Sequence, residues 1–466
     1  MRREQKTPEG GWPVEGRVEP ERIQGARSIA TASESRRDNA HGMTRKLMER
    51  IVSNANVIAA NKRVQGNKGA PGVDGMAVEE LQSYLHEHWP QLKKQLLEGT
   101  YQPKPVRRVA IPKPDGGERK LGIPTVVDRF IQQAVAQELM RWFEPTFSNS
   151  SYGFRPGRGA KEAVTAAIGY VEQGYRWVVD IDLEKFFDRV NHDVLMAKVA
   201  RRISDKRVLK LIRAYLTSGV MENGVKQASE EGTPQGGPLS PLLSNIMLDE
   251  LDKELEKRGH VFSRYADDCN IYVKSKRAGE RVMRSVTAYL NNRLRLKVNE
   301  TKSAVDKPQR RKFLGFSMYI NKEGKPRLRV HEKSVNRFKD KVRELTNRNK
   351  SMLMEKRLFK LNQMTTGWVN YFGIADAEKL LQKLDEWIRH RLRACIWKQW
   401  KTINCRRKSL VKLGIPEEKA GMFASTSKGY WKVSNSPILK CSITNARLEK
   451  KGFIPLSHSY RKVHVF

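Results

Sequence analysis

The chain has little cysteine. Four residues, Cys269, Cys395, Cys405 and Cys441, are spread over 466 positions without a Cys-x-x-Cys pair. That spacing excludes a zinc ribbon or a four-cysteine metal site, and such sparing use suits a reducing compartment. Long apolar runs are also missing: none reaches the roughly 18 residues a membrane-spanning helix needs. Acidic residues are the minority. There are 51 Asp+Glu against 89 Lys+Arg, a net charge of +38. An excess that large attracts polyanions, with nucleic acid the first candidate and an anionic membrane surface the second. What is present is enough apolar residue, 39%, for a sizeable core, over a length that suits about three domains.

Residues 1–42 are rich in Arg, Glu, Gly, Pro and Ser and are expected to be a disordered extension. They hold no apolar central stretch of a signal peptide. Glu4, Glu9, Glu15, Glu19 and Glu21 argue against an organelle transit peptide. Met43 stands just before a helical pattern and is a candidate start. Leu47, Ile51, Val57, Ile58 and Val64 then recur at helical spacing. Asn67 to Gly75 is a glycine loop whose amides, with Lys68, suit a nucleic-acid backbone; a plain connector has the same composition. A helix is expected from Val78 to Leu97. Val109–Ile111 and Leu121–Ile123 flank Asp115-Gly116-Gly117 as a hairpin. Lys113 and Arg119 lie on either side of its turn, as a triphosphate clamp or a solvated basic hairpin would have them.

Two acidic stretches carry the chemistry. Trp177 to Ile181 reads as a buried strand running into Asp182, with Asp180 and Asp182 on the same face. Arg264-Tyr265-Ala266-Asp267-Asp268 reads as strand, tight turn, strand, with the aspartates at the turn. Paired aspartates repel and call for a cation. Alone they are most often a solvated turn. Placed beside Asp182 they would complete a three-carboxylate site for two divalent ions and in-line phosphoryl transfer. Asp188-x-x-Asn191-His192 reads as a helix start with His192 as a structural neighbour. Thr233-Pro234-Gln235-Gly236-Gly237 is a turn in which Gln235 could touch a base pair or sugar while the glycines allow close approach.

Several stretches, in order, resemble the reverse transcriptases encoded by bacterial group II introns. They are Ile111-Pro112-Lys113-Pro114, Asp182-Leu183-Glu184-Lys185-Phe186-Phe187, Thr233 to Gly237, Tyr265-Ala266-Asp267-Asp268 and Phe313-Leu314-Gly315-Phe316. The resemblance runs from about Leu47 nearly to the C-terminus. It implies an α+β right-hand polymerase: fingers, a palm with an antiparallel sheet, and a helical thumb. It implies Asp182, Asp267 and Asp268 as catalytic metal ligands for two Mg²⁺ ions, with a backbone carbonyl from Leu183. Phe187 matches the gate that crowds a ribonucleotide 2′-hydroxyl. Lys113 and Arg119 match cations on the incoming triphosphate, Gln235 a residue near its sugar, and Lys302 a lysine near the leaving pyrophosphate. Phe313, Leu314, Gly315 and Phe316 match the primer grip. The Asn67 to Gly75 loop resembles the family's own N-terminal extension. The implied division is 43–94 for that extension, 95–325 for fingers and palm, 326–411 for thumb and maturase helices, and 412–466 for a small basic DNA-binding tail.

From His331 onward there are 30 Lys+Arg and 11 Asp+Glu, an excess of +19 and half of the chain's +38. Helical faces there join apolar residues to cations and aromatics, which suits an RNA groove; a solvated basic face on a helical bundle reads alike. Arg389, Arg391, Arg393 and Lys401 are the candidate RNA contacts, with Trp397 and Trp400 among the cations. Trp368 and Tyr371, in Gly367-Trp368-Val369-Asn370-Tyr371-Phe372, resemble the maturase signature. Arg155 and Arg158, beside Tyr152 and Phe154, and Lys68 are further candidates. The expected activity is RNA-directed DNA synthesis joined to maturase function. The expected partners are group II intron RNA, template RNA with a DNA primer, dNTPs and target DNA, in a bacterial cytoplasm at the nucleoid. Without the family's nuclease domain, the primer is expected to come from elsewhere, such as a nascent replication strand. The alternatives are a diversity-generating or defence-associated reverse transcriptase, and a non-enzymatic RNA-binding splicing factor.

Overall fold

The computed structural model describes residues 44–112, 117–222, 225–227, 231–234 and 236–464. The expected extension at 1–42, and Met43, lie outside them. The helical pattern that opens the described chain is two helices, Leu47–Ile51 and Asn54–Gly66, broken at Val52 and Ser53. Leu47, Met48, Ile51, Ala60 and Val64 are buried, but Ile58 is 68% exposed because the break rotates it outward. Asn56 stitches this pair to the helix Val126–Phe143, donating to Ile51 O and to Ala134 O at 2.8 and 3.0 Å. The helix Leu81–Glu98 follows a 3₁₀ turn at Val78–Glu80 and ends on Gly99, whose φ of +68° suits a glycine stop.

The expected hairpin forms. Strands β1 (Val106–Pro112) and β2 (Glu118–Ile123) pair antiparallel with Val109 opposite Leu121 and Ile111 opposite Arg119. β4 (Val220–Glu222) adds to β1 in parallel and β5 (Val225–Gln227) completes this sheet.

A second, all-antiparallel sheet has the order β6-β7-β3-β8: Val261–Tyr265, Asp268–Val273, Trp177–Ile181 and Ala304–Asp306. Its two faces bury different cores. Val179, Ile181, Cys269 and Ile271 join the helices of the N-terminal half. Val178 and Tyr272, one residue out of phase, join the C-terminal half. A hairpin of β9 (Phe316–Ile320) and β10 (Pro326–Val330) leads into the helices Glu332–Leu345, Met354–Phe372 and Glu378–Gln399. The residues after 412 are short helices whose Ala420, Val433, Leu439, Leu448 and Tyr460 share that second core. Asp385 ties the end of the chain down, accepting from Leu456 N, Ser457 N and Ser457 Oγ at 2.7 to 3.0 Å. The sequence there reads as basic and poor in pattern because each helix spans only one or two turns.

Candidate active site

Strand alternation puts the acidic residues on one face. Val178 pairs with Tyr272 and Asp180 with Asn270, so Asp180 shares the face of the C-terminal half. Ile181 pairs with Cys269, which brings Asp182 beside Asp268 at the next step of the register. The backbone of Asp182 is fixed on its other flank: Asn299 N donates to its carbonyl at 2.8 Å and its own N–H donates to Ser303 Oγ at 3.0 Å. Leu183 bridges Val298 and is buried.

The β6–β7 turn is tight. Tyr265 pairs with Asp268 across it, leaving Ala266 and Asp267 as its two central residues. Ala266 has φ of +57°, a strained value for a residue with a Cβ. Two contacts hold it there. Arg264 Nη1 donates to Ala266 O at 2.8 Å, and Gly153 lies so close that a Cβ on it would overlap Ala266 N.

The electrostatics follow from crowding. Burial, and then the charges of Asp180, Asp267 and Asp182, push the Asp268 carboxyl well above its usual range, with Lys312 opposing. Burial also raises Asp267, against the cations Arg119 and Arg264. Asp180 is raised by burial while Arg311 opposes; Arg311 donates to it at 2.5 and 2.8 Å. Asp182 stands 3.9 Å from Lys302 Nζ. Among the described residues no three His, Cys, Asp or Glu side chains close into a ready ligand set. The oxygen donors present suit a hard ion that keeps water or phosphate oxygens among its ligands, as Mg²⁺ does, rather than an all-protein cage.

The sequence of residues 111–318 matches the family model described as "Reverse transcriptase (RNA-dependent DNA polymerase)", and residues 335–414 match "Group II intron, maturase-specific domain". "Protein YkfC" of Escherichia coli is 35% identical over 297 residues, covering 55% of this chain and 78% of that protein. The chain belongs to the reverse transcriptase family that carries a group II intron maturase domain. "Group II intron-encoded protein LtrA" of Lactococcus lactis is 29% identical over 57% of this chain and 55% of its own length, so the chain spans about half of it. "Putative COX1/OXI3 intron 1 protein" of Saccharomyces cerevisiae is 30% identical over 51% of this chain and 27% of that protein. A solved structure titled "Partial Cas6-RT-Cas1--Cas2 complex" aligns at 25% identity with a TM-score of 0.35, over 53% of this chain and 42% of that one. The family match bears out the reverse transcriptase reading, and the strands and helices described above bear out the α+β fold. The enzyme is an RNA-directed DNA polymerase, and its family uses divalent metal.

Around the three aspartates of this reverse transcriptase sit several of the expected residues. Lys302 reaches Asp182, and Arg119 projects its charge onto Asp267 from the fingers hairpin. Lys113 and Gln235 lie outside the described residues. Phe187 is partly buried, edge-on to Phe186 at 5.2 Å, and its carbonyl accepts from Thr233 N at 2.6 Å. The glycine turn beside it packs on protein. A Cβ on Gly236 would meet Gly122 O at 2.7 Å, and one on Gly237 would overlap Gln132. Both close approaches are to protein atoms, of β2 and of the helix Val126–Phe143. His192 is the structural neighbour expected: it is buried, burial lowers its pKa, and Nε2 lies 2.6 Å from Gly232 O, the carbonyl to which the neutral ring donates.

Phe313 and Phe316 close a turn through mutual backbone bonds of 3.0 and 2.9 Å, with Leu314 and Gly315 at φ of +50° and +87°. Tyr371 donates to Leu314 O at 2.9 Å and stacks on Phe316, so the thumb grips this turn directly.

The expected RNA contacts divide. Arg155 is buried and saturated by Glu144, Ser148 O and Ser151 O, so it is a loop staple. Arg393 is buried too, donating to Ile443 O and Asn445 Oδ1. Trp368 is partly buried, packed between Phe338 and Phe372 at 4.6 and 4.7 Å against the second core, and Trp397, 1% exposed, lies within that core. Arg158 donates twice to Asn149. Lys68 is exposed, but its loop is folded onto the fingers by Arg107 and Arg129, which donate to Pro71 O and Ala70 O. Arg389 is half-exposed, and Lys401 and Tyr371 are exposed. Three residues of the site escaped the sequence reading: Arg264, Arg311 and Lys312. The first stands within the quoted turn and the other two just before Phe313, but their partners lie 12 to 131 positions away.

Proposed function

We propose that this chain binds group II intron RNA, assists its splicing, and copies it into DNA during intron mobility by nucleotide addition with two Mg²⁺ ions. The observation that carries this is the convergence of Asp182 and Asp267-Asp268 from neighbouring strands, with Lys302 and Arg119 at the edge. Asp182, Asp267, Asp268 and the Leu183 carbonyl would hold the ions. When bound, these would activate a primer 3′-hydroxyl and neutralise the triphosphate. The protein's own groups do the rest. Arg119, with Lys113, grips the triphosphate, and Gln235 contacts the sugar. Phe187 fills the space a 2′-hydroxyl would need. Lys302 meets the leaving phosphates, and the Phe313 to Phe316 turn seats the primer end. The substrates are template RNA with a DNA primer and dNTPs, the target is DNA, and the setting is the bacterial nucleoid.

The test is primer extension by the purified full chain on an RNA template with Mg²⁺. Asp267→Asn should abolish extension and leave RNA affinity within about twofold, because one carboxylate among many cations hardly alters phosphate binding. A wild-type chain that binds RNA and promotes splicing without extending a primer would replace the polymerase reading with that of a splicing factor.

A further inference from the structure

A cavity of about 320 Å³ lies far along the chain from the catalytic aspartates, where the end of the helix Glu332–Leu345 meets the helix Glu378–Gln399 and the short helix Tyr430–Ser434. Arg343, Arg348, Arg391, Asn347 and Trp431 are among its walls. Its size falls at the low end for small-ligand sites. Trp431 lies beyond the matched maturase domain, which ends at 414, so the cavity joins two parts of the chain.

Its chemistry is one-sided. Arg343 has an exposed partner, Asp340, at 2.5 Å. Arg391 donates only to neutral groups, Thr346 Oγ1 at 2.5 Å and the carbonyls of Arg343 and Thr346. Among the described residues no carboxylate pairs with Arg348 or Arg391. Burial, together with the charges of Arg343 and Arg348, lowers the Arg391 pKa. Three guanidiniums against one carboxylate is a site that gains from an anion.

The aromatic groups are placed with equal specificity. Arg343 and Arg391 lie over Trp387 at 5.7 and 5.3 Å, and Arg348 over Tyr430 at 5.3 Å. A guanidinium lying on a ring still presents its N–H groups in plane; on Arg391 the Nε and Nη2 groups are taken by Thr346 and Arg343 O, which leaves Nη1 for a phosphate. Trp431 is braced by His390, stacked at 3.6 Å, and by Arg391, 6.0 Å from its ring centroid, yet stays 44% exposed. An indole held rigid, open and beside three cations is a stacking surface for a base whose phosphate sits on the arginines.

We propose that this cavity seats one unstacked nucleotide of a single-stranded RNA, with the base against Trp431 and its phosphate on Arg343, Arg348 and Arg391. The site rests on the RNA-binding part of the proposed function but is independent of the polymerase part. Asn347 supplies a polar edge there, and an unpaired strand offers both the flexible phosphate and the free base face that a duplex withholds.

The test uses full-length protein labelled with 5-fluorotryptophan, the Trp431 resonance being identified by its loss in Trp431→Phe. The probe is a short single-stranded oligoribonucleotide, with the DNA strand of the same sequence, its RNA duplex and inorganic phosphate run beside it. The single strands should move the Trp431 resonance to saturation. Trp431→Ala should weaken RNA binding by about fivefold or more, and Arg348→Glu by about tenfold with a shallower salt dependence. Both positions are solvent-exposed, and primer extension at saturating RNA should be unchanged, which separates failure of this site from failure of the polymerase reading. Equal affinity of wild type and both variants would overturn the proposal. So would a resonance that responds to phosphate but not further to RNA, or one that responds to duplex alone.

Discussion

Arg264 and Asp252 form an ion pair in which neither side chain has any solvent exposure, with donor–acceptor distances of 2.7 and 2.5 Å. Arg264 also reaches Asn245 Oδ1, Ser151 Oγ and the carbonyl of Ala266. Arg264 thus lies beneath the turn that bears Asp267 and Asp268, on the sheet face opposite them. Burying two charges is weak as a source of stability. What the pair supplies is a rigid fork that fixes Ala266 in its left-handed conformation.

Removing one partner leaves the other charge buried and unpaired. Asp252→Ala should therefore cost about 3–5 kcal/mol, read as a fall in the midpoint of chemical unfolding. Arg264→Lys keeps a charge but loses the fork. It should fold, and should need a higher Mg²⁺ concentration for half-maximal extension. A variant with unchanged Mg²⁺ dependence would show that the turn is positioned by the strands alone.

Gly153, whose carbonyl accepts from the same Asn245, bears on the same turn. A methyl group there would overlap Ala266 N and crowd the Tyr265 carbonyl carbon at 3.0 Å, both of them backbone atoms that can give way only by moving the turn. Gly153→Ala should lower kcat for extension by about tenfold to a hundredfold, since displacements near 1 Å cost that much. Gly169→Ala is the control: it lies in the helix Ala160–Glu172 with nothing within 4 Å of the added carbon. It should leave the rate unchanged and stabilise by about 0.4–1 kcal/mol.

These dependences also show where sequence reading stops. Strand patterns ending in aspartate are local, so Asp182 and Asp267-Asp268 could be placed at adjacent strand ends from the sequence. The hairpin of Lys113 and Arg119 was legible for the same reason. Whether an arginine faces solvent is decided by partners far away: Arg393 bonds to Ile443, and Arg155 to Glu144 around a closed loop. Basic and aromatic residues at helical spacing look alike whether they face RNA or, like Trp368 and Trp397, the core. The tail after 412 could not be docked because its apolar residues, Val433, Leu439 and Leu448, are spread over separate short helices.

Phe187 follows Asp182 by five residues, and its ring is held edge-on by Phe186 and packs partly buried against the core of the N-terminal half. Phe187→Ala should leave dNTP incorporation within about tenfold and raise ribonucleotide incorporation by one to two orders of magnitude, roughly the worth of a lost steric clash. The measurement is kcat/KM for dGTP and GTP on one template. Unchanged sugar selectivity would remove Phe187 from the gate.

Asp268 sets the pH dependence. Its carboxyl is raised well above the usual range by burial and by three neighbouring aspartates. A raised carboxyl means that the folded state holds its proton at a pH where the unfolded chain has lost it. Protonation at this site therefore favours the fold, and that contribution fades as pH climbs from the ordinary carboxylate value near 4 through the raised value. Above it, the unneutralised charges oppose folding. A divalent ion that binds the ionised site reverses this, by an amount set by its concentration over its dissociation constant. Thermal melts of the protein with and without Mg²⁺ should then show a larger stabilisation at pH 8 than at pH 5.5, where protons compete for the same oxygens. Asp268→Asn removes one repelling charge. It should raise the melting midpoint without Mg²⁺, by an amount on the order of 1 kcal/mol of stability, and should abolish the Mg²⁺ effect. An equal Mg²⁺ shift at both pH values, or one that survives Asp268→Asn, would place the ion elsewhere on the chain.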